Sequence, residues 1–278
     1  MNAGLNTSAE PKSGPFAHTT STVQRTMRLV LLALVPATVF NLYLFGWPAI
    51  RLFSVTVGAC VAAEAACLVL AGRPVTETLA DGSAILTGWL LAMTLPPWAP
   101  WWIGVLGAVF AIPLAKQAFG GLGQNLFNPA MVARVALLVS FPVIMTAWVA
   151  PHPLFSTAAP GFRDSVTITF GGEMPDGVTA ATALSFVKTE LARRVPVSES
   201  LKTFGRSSTL TYTPDLLDLA TGYKPGSLGE TSAILILLGG LFLIWRRVIT
   251  WHIPVMMVGT LFLLGSLFNT LDPGRFAP

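Results

Sequence analysis

Charge is what this sequence has least of. Only 11% of its 278 residues are Asp, Glu, Lys or Arg, where a soluble domain carries roughly 25%. The shortfall is filled by hydrophobic residues, 53% of the chain, and mean hydropathy is +0.66. Such a chain takes lipid as its main solvent, so the expected fold class is an all-α integral membrane protein, a multi-helix bundle. The net charge of +4 is modest and sits in short basic clusters at segment ends. That distribution suits membrane orientation and excludes a nucleic-acid partner. Cysteine is nearly absent. Cys60 and Cys67 share one apolar run, and on a helix they lie about 10 Å apart at a rise of roughly 1.5 Å per residue. That is beyond disulfide reach, so both read as packed thiols. His18, His152 and His252 are scattered without metal-ligand spacing, so no metal site is expected. No Ser-His-Asp or Cys-His set is present, and no residue is assigned a catalytic role. The first 24 residues are polar and show no cleavable signal; they read as a disordered or surface-lying tail.

What the chain does have is apolar runs. A spanning helix needs roughly 17 to 25 such residues. Seven candidates stand out: Leu29 to Trp47, Leu52 to Ala71, Ala84 to Leu95, Trp101 to Phe119, Pro129 to Ala150, Ala233 to Trp245 and Ile253 to Phe268. The third is short and stops at Pro96-Pro97, as a broken or tilted helix lining a cavity would. Lys and Arg in short loops set orientation. With the N-terminus in the cytoplasm, that side collects Lys12, Arg25, Arg28, Arg73, Lys116, Arg246 and Arg247, against Arg51 and Arg275 opposite. The organisation expected is a cytoplasmic tail over 1–27, a five-helix membrane bundle over 28–150, a periplasmic segment over 151–230, helices of a second bundle over 231–270 and a tail over 271–278. The long outer segment exceeds the roughly 15 residues of an idle loop. It contains a strand-like stretch, Ser165 to Phe170, and an amphipathic helix, Ala183 to Arg194, in which Leu184, Val187 and Leu191 recur at helical spacing.

Two glycine-rich loops adjoin membrane runs. In Phe119-Gly-Gly-Leu-Gly-Gln-Asn-Leu-Phe-Asn-Pro-Ala130, Gly121 and Gly123 let backbone approach a ligand, and Asn125 and Asn128 offer donors and acceptors. A tight loop with Asn128 capping a helix that opens on Pro129 explains it equally well. A water-channel reading fails, because such channels pair two Asn-Pro-Ala half-helices and this chain has one. Arg134, one turn on, is a charge inside an apolar helix and calls for a cavity or a partner. In Gly222-Tyr-Lys-Pro-Gly-Ser-Leu-Gly-Glu-Thr231, a helix N-terminus approached by glycines has the geometry of an anion site, with Ser227 or Thr231 as cap and Glu230 beside them. Neither loop is a nucleotide signature. Among acidic residues, Asp81 reads as a cap for the third helix. Glu64 is a candidate for an ion or proton path, or for packing against another subunit. Asp176-Gly177 is a turn pair, and Thr182 stands where the helix Ala183 to Arg194 begins, the position of a cap.

Four stretches in order carry a resemblance that extends from about residue 16. They are Ser21-Thr-Val-Gln-Arg-Thr-Met27 running into Leu32-Ala-Leu-Val-Pro36; Phe119 to Ala130; Gly226-Ser-Leu-Gly-Glu-Thr-Ser232 with Trp245-Arg-Arg-Val-Ile-Thr-Trp-His-Ile-Pro254; and Asp176-Gly-Val-Thr-Ala-Ala-Thr-Ala-Leu184. Together they resemble the NqrB/RnfD family, most nearly the RnfD subunits of the Rnf ion-translocating oxidoreductase complex. The short N-terminal tail favours RnfD over NqrB. The last stretch matches that family's flavinylation pattern, Asp-Gly-x-Ser/Thr-x-Ala-Thr. The resemblance implies FMN joined through its phosphate to Thr182 by a flavin transferase, with Asp176, Gly177, Thr179 and Ala181 as part of the recognised pattern. It also implies a second, non-covalent flavin (riboflavin or FMN) in the membrane, for which Gly121, Gly123, Asn125, Asn128 and Arg134 are the candidate neighbourhood, with Ser227 and Glu230 on the other loop. The implied function is a membrane electron-transfer subunit, without turnover alone. Its complex, in the bacterial inner membrane with further flavin- and iron–sulfur-bearing subunits, would couple electron transfer between ferredoxin and NAD to Na⁺ or H⁺ movement. Family members have ten helices in two inverted five-helix repeats, of which this chain shows seven. A phosphoester on Thr182 makes its oxygen a poorer cap, so Thr179 or a backbone group is expected to close that helix. The alternative is a secondary transporter with broken helices around the glycine-rich loops, a reading that leaves the outer segment without a role.

Overall fold

A computed structural model describes residues 23–157, 159–172, 183–197, 199–200, 220–230, 232–272 and 274–276. The described residues form an all-helical bundle. Helix α1 spans Val23–Leu70 and is two arms of one hairpin, because Gly46 breaks it with φ 72° and ψ −160°. Positive φ at that point is open to glycine and strained for most other residues. The break falls one residue before the end of the first expected run, Leu29 to Trp47. After α2 (Val75–Leu79) come α3 (Ser83–Thr94) and α4 (Trp101–Val109), which continues through a π turn at Phe110–Leu114 and a 3₁₀ turn at Gln117–Phe119. Pro113 lies in the π turn. Lacking an N–H, proline cannot join the regular ladder, and the widened turn re-aims the residues after it. Next are α5 (Pro129–Ser140) and the single turn α6 (Pro142–Met145). The expected helix over 129–150 therefore stops early: Phe141 leaves helical geometry at φ −133°, ψ 58°, ahead of Pro142. Then follow α7 (Asp164–Val166), a second π turn at Thr167–Gly171, α8 (Ala183–Ala192), α9 (Ala233–Trp245) and α10 (His252–Leu271).

Among the described residues, three stretches are long and apolar enough to cross a membrane: Val23–Leu70, Trp101–Phe119 and His252–Leu271. Three shorter apolar helices, α3, α5 and α9, accompany them. The core joins the second arm of α1 to α3, α4 and α5 through Leu52, Cys60, Leu91, Ile103, Ile112 and Leu137. Lipid gives apolar side chains little reason to cluster, so close backbone approach has to hold such helices. Gly88 supplies it, since a Cβ there would meet Val57 Cα at 2.9 Å; Gly107 does the same against Leu91 and Leu137, each at 3.0 Å. Both cysteines are free thiols on α1. Outward faces of α5, α9 and α10 are apolar and exposed, as lipid contact requires, and α10 buries no residue.

The bundle has two distinct ends. One holds the start of α1, Ser83, Lys116 and the loop 120–128. The other holds Gly46, the end of α3 and the segment after Ser140. There Arg51 Nε donates to Ser165 Oγ at 2.7 Å, and its guanidinium lies 4.2 Å from the Phe162 ring centre. The stretch Ser165 to Phe170, expected to be extended, is helical. Its β-branched residues do not alternate against a partner strand; they close helical turns on α1, with Ile168 buried beside Trp98 and Val149. Val197 N donates to Gly274 O at 3.1 Å, which ties the residues after α10 to those after α8. Helix α8 lies within the expected amphipathic helix and ends two residues sooner, with Arg194 at φ 65°.

Candidate functional site

A cavity of about 270 Å³ opens at the end that carries the start of α1. Met27, Leu86, Leu90 and Leu122 supply its apolar walls, and Ser83, Thr87, Lys116, Asn125 and Asn128 its polar groups. Mostly apolar lining with a few placed polar groups is the usual composition of a cofactor or small-molecule site.

Each polar group is held by a local device. Asp81 Oδ1 accepts the Ser83 amide at 2.6 Å, so the expected acidic cap is present and fixes the first residue of α3. Thr87 Oγ donates back to the Ser83 carbonyl at 2.8 Å. Asn128 Oδ1 accepts the Ala130 amide at 3.0 Å, and Pro129 occupies the first helical position of α5, as the sequence predicts. Asn125 Nδ2 donates to the Phe127 carbonyl at 2.8 Å. Gly120, Gly121 and Gly123 have φ of 110°, 100° and 86°, so the loop needs glycine for its own path. Gly121 and Gly123 are not on the cavity wall. Of the candidates on this loop, the asparagines reach the cavity and the glycines shape the loop that carries them.

Lys116, on the wall, belongs to a buried ion pair. Lys116 Nζ donates to both Glu64 oxygens, at 2.8 and 2.7 Å, and to Ser83 Oγ at 2.7 Å. Gln117 Nε2 donates to Glu64 Oε1 at 2.7 Å. The Glu64 and Lys116 side chains are 1% and 2% exposed. Glu64 thus has its partner inside this chain. Lys116, counted by sequence among the cytoplasmic orienting charges, is buried. Its position at the end of an apolar run near a glycine-rich loop looks like an ordinary flanking lysine. The signal that marks it is the proline three residues before, which turns it inward.

Arg134 stands apart from the cavity. It points toward the opposite end, where its guanidinium donates to the Thr94 carbonyl at the C-terminus of α3. A cation satisfying the last carbonyls of a helix needs no external anion. The second glycine-rich loop meets the same helix end. Leu228 N donates to Leu95 O at 3.3 Å, Gly229 N to Met93 O at 2.6 Å, and Asn41 Nδ2 bonds the Leu228 carbonyl. A Cβ on Gly229 would meet Met93 O at 2.9 Å, so glycine is needed for this approach. The loop amides expected to meet an anion are spent on α3. Ser227 and Glu230 close a local turn, with Ser227 N donating to Glu230 Oε2 at 3.3 Å and Glu230 N to Ser227 O at 3.1 Å. The cap of α9 is Ser232, whose Oγ accepts the Leu235 amide at 3.4 Å, and not Ser227. Thr231, the other expected cap, and Asp176, Gly177, Thr179, Ala181 and Thr182 lie outside the described residues.

The comparisons with known proteins converge on one family. The model of the NQR2, RnfD, RnfE family matches residues 10–277. A protein of Halorhodospira halophila, named as a subunit of an ion-translocating oxidoreductase complex, is 52% identical over 270 residues, 97% of this chain and 73% of that protein. Proteins of the same name from Stutzerimonas stutzeri and Rhodobacter capsulatus are 53% and 49% identical, over 91% and 96% of this chain and 69% and 72% of theirs. With a family model spanning nearly its whole length and relatives sharing about half its residues, the chain belongs to the NQR2, RnfD, RnfE family.

Proposed function

We propose that this protein is a membrane subunit of an ion-translocating electron-transfer complex, and that it carries two flavins, FMN linked to Thr182 and a non-covalent flavin in the cavity beside Asn125 and Asn128. The names of the relatives support the complex and its other subunits as partners. The observation that carries the covalent site is Asp176-Gly-Val-Thr-Ala-Ala-Thr182, followed at once by helix α8 at Ala183. Attachment by a transferase explains why a hydroxyl residue stands at the end of an otherwise small-residue run.

Flavin, when bound, supplies electron transfer in one- or two-electron steps; the protein supplies position and electrostatics. In the cavity, Leu86 and Leu90 would supply apolar contact to the flavin. Asn125 and Asn128 offer a carbonyl oxygen and an amide nitrogen to its polar edge. Ser83, backed by the neutral Lys116–Glu64 pair, brings a hydroxyl to the same end of the site. At Thr182 the phosphoester holds FMN on the outer segment, where a loosely bound flavin would be lost. The N-terminus and cavity face the cytoplasm in this reading, the segment 151–230 faces the periplasm, and the host membrane is the bacterial inner membrane. Electrons pass between ferredoxin and NAD through partner subunits, coupled to Na⁺ or H⁺ movement.

The test is a denaturing gel viewed under ultraviolet light. Co-expressed with its flavin transferase, the protein gives a fluorescent band, and Thr182→Ala removes it. A dark wild-type band under those conditions would overturn the covalent site.

A further inference from the structure

We infer that Ser83, backed by the Lys116–Glu64 pair, is a polarised hydrogen-bond donor to the polar edge of the cavity flavin, beside the Asn128 amide, and that it biases the site toward the reduced, charge-bearing form. This rests on the flavin reading of the cavity.

Counting hydrogens identifies the donor. Lys116 has three N–H donors, and all three are used, two on Glu64 and one on Ser83 Oγ. Ser83 Oγ therefore accepts, and its own O–H remains to be given. Among the described residues no protein group accepts it. Ser83 is 4% exposed and lies on the cavity wall. The cavity is where that hydrogen can go. A hydroxyl that accepts from an ammonium is a stronger donor, because hydrogen bonds in a chain polarise one another. The ammonium lies between Glu64 and Ser83, so Ser83 faces the positive end of the pair. Ser83 is also the first residue of α3, where the helix dipole adds to the same sign.

A neutral site with one polarised donor favours a ligand that gains negative charge at that edge. The electrons come from the flavin's redox partner, and no bond in the protein forms or breaks. Lys116 acts through Ser83 and is a positioning residue. Glu64 keeps the ammonium in place and the buried charge neutral.

The experiment uses the complex carrying Thr182→Ala, so that the non-covalent flavin is the one left on this subunit, with riboflavin content and the midpoint potential of the riboflavin as readouts. Ser83→Ala should weaken riboflavin retention roughly tenfold, the scale of one hydrogen bond to a polarised group. A tenfold shift in preference between oxidised and reduced forms moves a two-electron potential by about 30 mV, here downward. Ser83→Thr keeps the hydroxyl and should keep both values. Glu64→Gln with Lys116→Met removes the polarising charge without stranding a buried ion, and should lower the potential while retaining flavin. The same variants made with Thr182 intact report folding through the covalent FMN band. Leu86→Trp fills the cavity and should empty it. If Leu86→Trp empties the site while Ser83→Ala leaves content and potential unchanged, the role of Ser83 is refuted and the cavity reading stands. If Leu86→Trp retains full flavin, the cavity reading falls, and this inference with it.

Discussion

Breaking the Glu64–Lys116 pair from one side should damage the protein far more than removing it whole. In Lys116→Met the Glu64 carboxylate, 1% exposed, loses both Lys116 hydrogen bonds and keeps that from Gln117 Nε2. A buried ion stripped of its partner costs about 3–5 kcal/mol. Glu64→Gln strands the ammonium, which keeps Ser83 Oγ and a neutral amide oxygen, so its cost falls at the lower end, about 3 kcal/mol. In the double variant no buried charge remains. Replacing a whole buried pair is often neutral, so the double variant should lie within about 1 kcal/mol of the parent. The coupling energy is then on the order of 5 kcal/mol, far above the roughly 0.5 kcal/mol expected between independent sites. Purified protein in mild detergent, unfolded by added denaturing detergent and followed by tryptophan fluorescence, measures all four corners. Single variants that each cost under about 1 kcal/mol, with an additive double, would show that water reaches the pair and that its burial counts for little.

Three further outcomes are expected. Gly239→Ala places a Cβ 2.6 Å from the Ala33 carbonyl and should push α9 off α1, at a cost of about 1–3 kcal/mol; Gly240→Ala, with nothing within 4 Å, should be neutral or slightly stabilising in the same unfolding assay. Cysteines at the exposed positions Phe155 and Leu126 lie at opposite ends of the bundle, so an impermeant thiol reagent on intact spheroplasts should label the first, and the second only after permeabilisation; the reverse result inverts the orientation. Burial lowers the pKa of His152 below its ordinary value of 6.5, so the unfolded chain takes a proton more readily than the folded one. Stability should therefore fall as pH drops from about 6.5 toward the folded value and stay flat above; His152→Gln should flatten that limb of a stability–pH curve.

Which features were legible in the sequence follows from how local their causes are. Hydropathy marks the apolar runs because each run answers to lipid by itself. Asn128-Pro129 announces a capped helix start because cap and helix are neighbours, and Asp81 works the same way. The errors arise where a distant partner decides. Ser165 to Phe170 has β-branched residues but no strand to pair with, and Arg51 with the aromatic surface of α1 holds it in helical turns. Arg134 invited an external anion until the end of α3 came to it. The amides of 228 and 229 looked available to a ligand because their acceptors, Leu95 and Met93, lie far back in the chain. Lys116 is the clearest case: flanking position suggested a surface charge, and the π turn at Pro113 with the acid on α1 made it a buried one.

The stitched end of α3 also bears on how the protein is made. Helix α3 has twelve residues, about 18 Å at the usual rise, against a hydrocarbon layer of about 30 Å. Its crossing is completed by the turn at 228–229, which a ribosome adding 5–20 residues per second supplies roughly 7 to 27 seconds later. Until then the carbonyls of Met93 and Leu95 lack the donors they have in the finished bundle, and bare carbonyls are poorly tolerated in lipid. A nascent chain of this protein must keep that end at the water boundary, or beside an insertion factor, until the later loop arrives. Substitutions at Gly229 would then show first as poor membrane insertion and early degradation, before any effect on electron transfer could be measured.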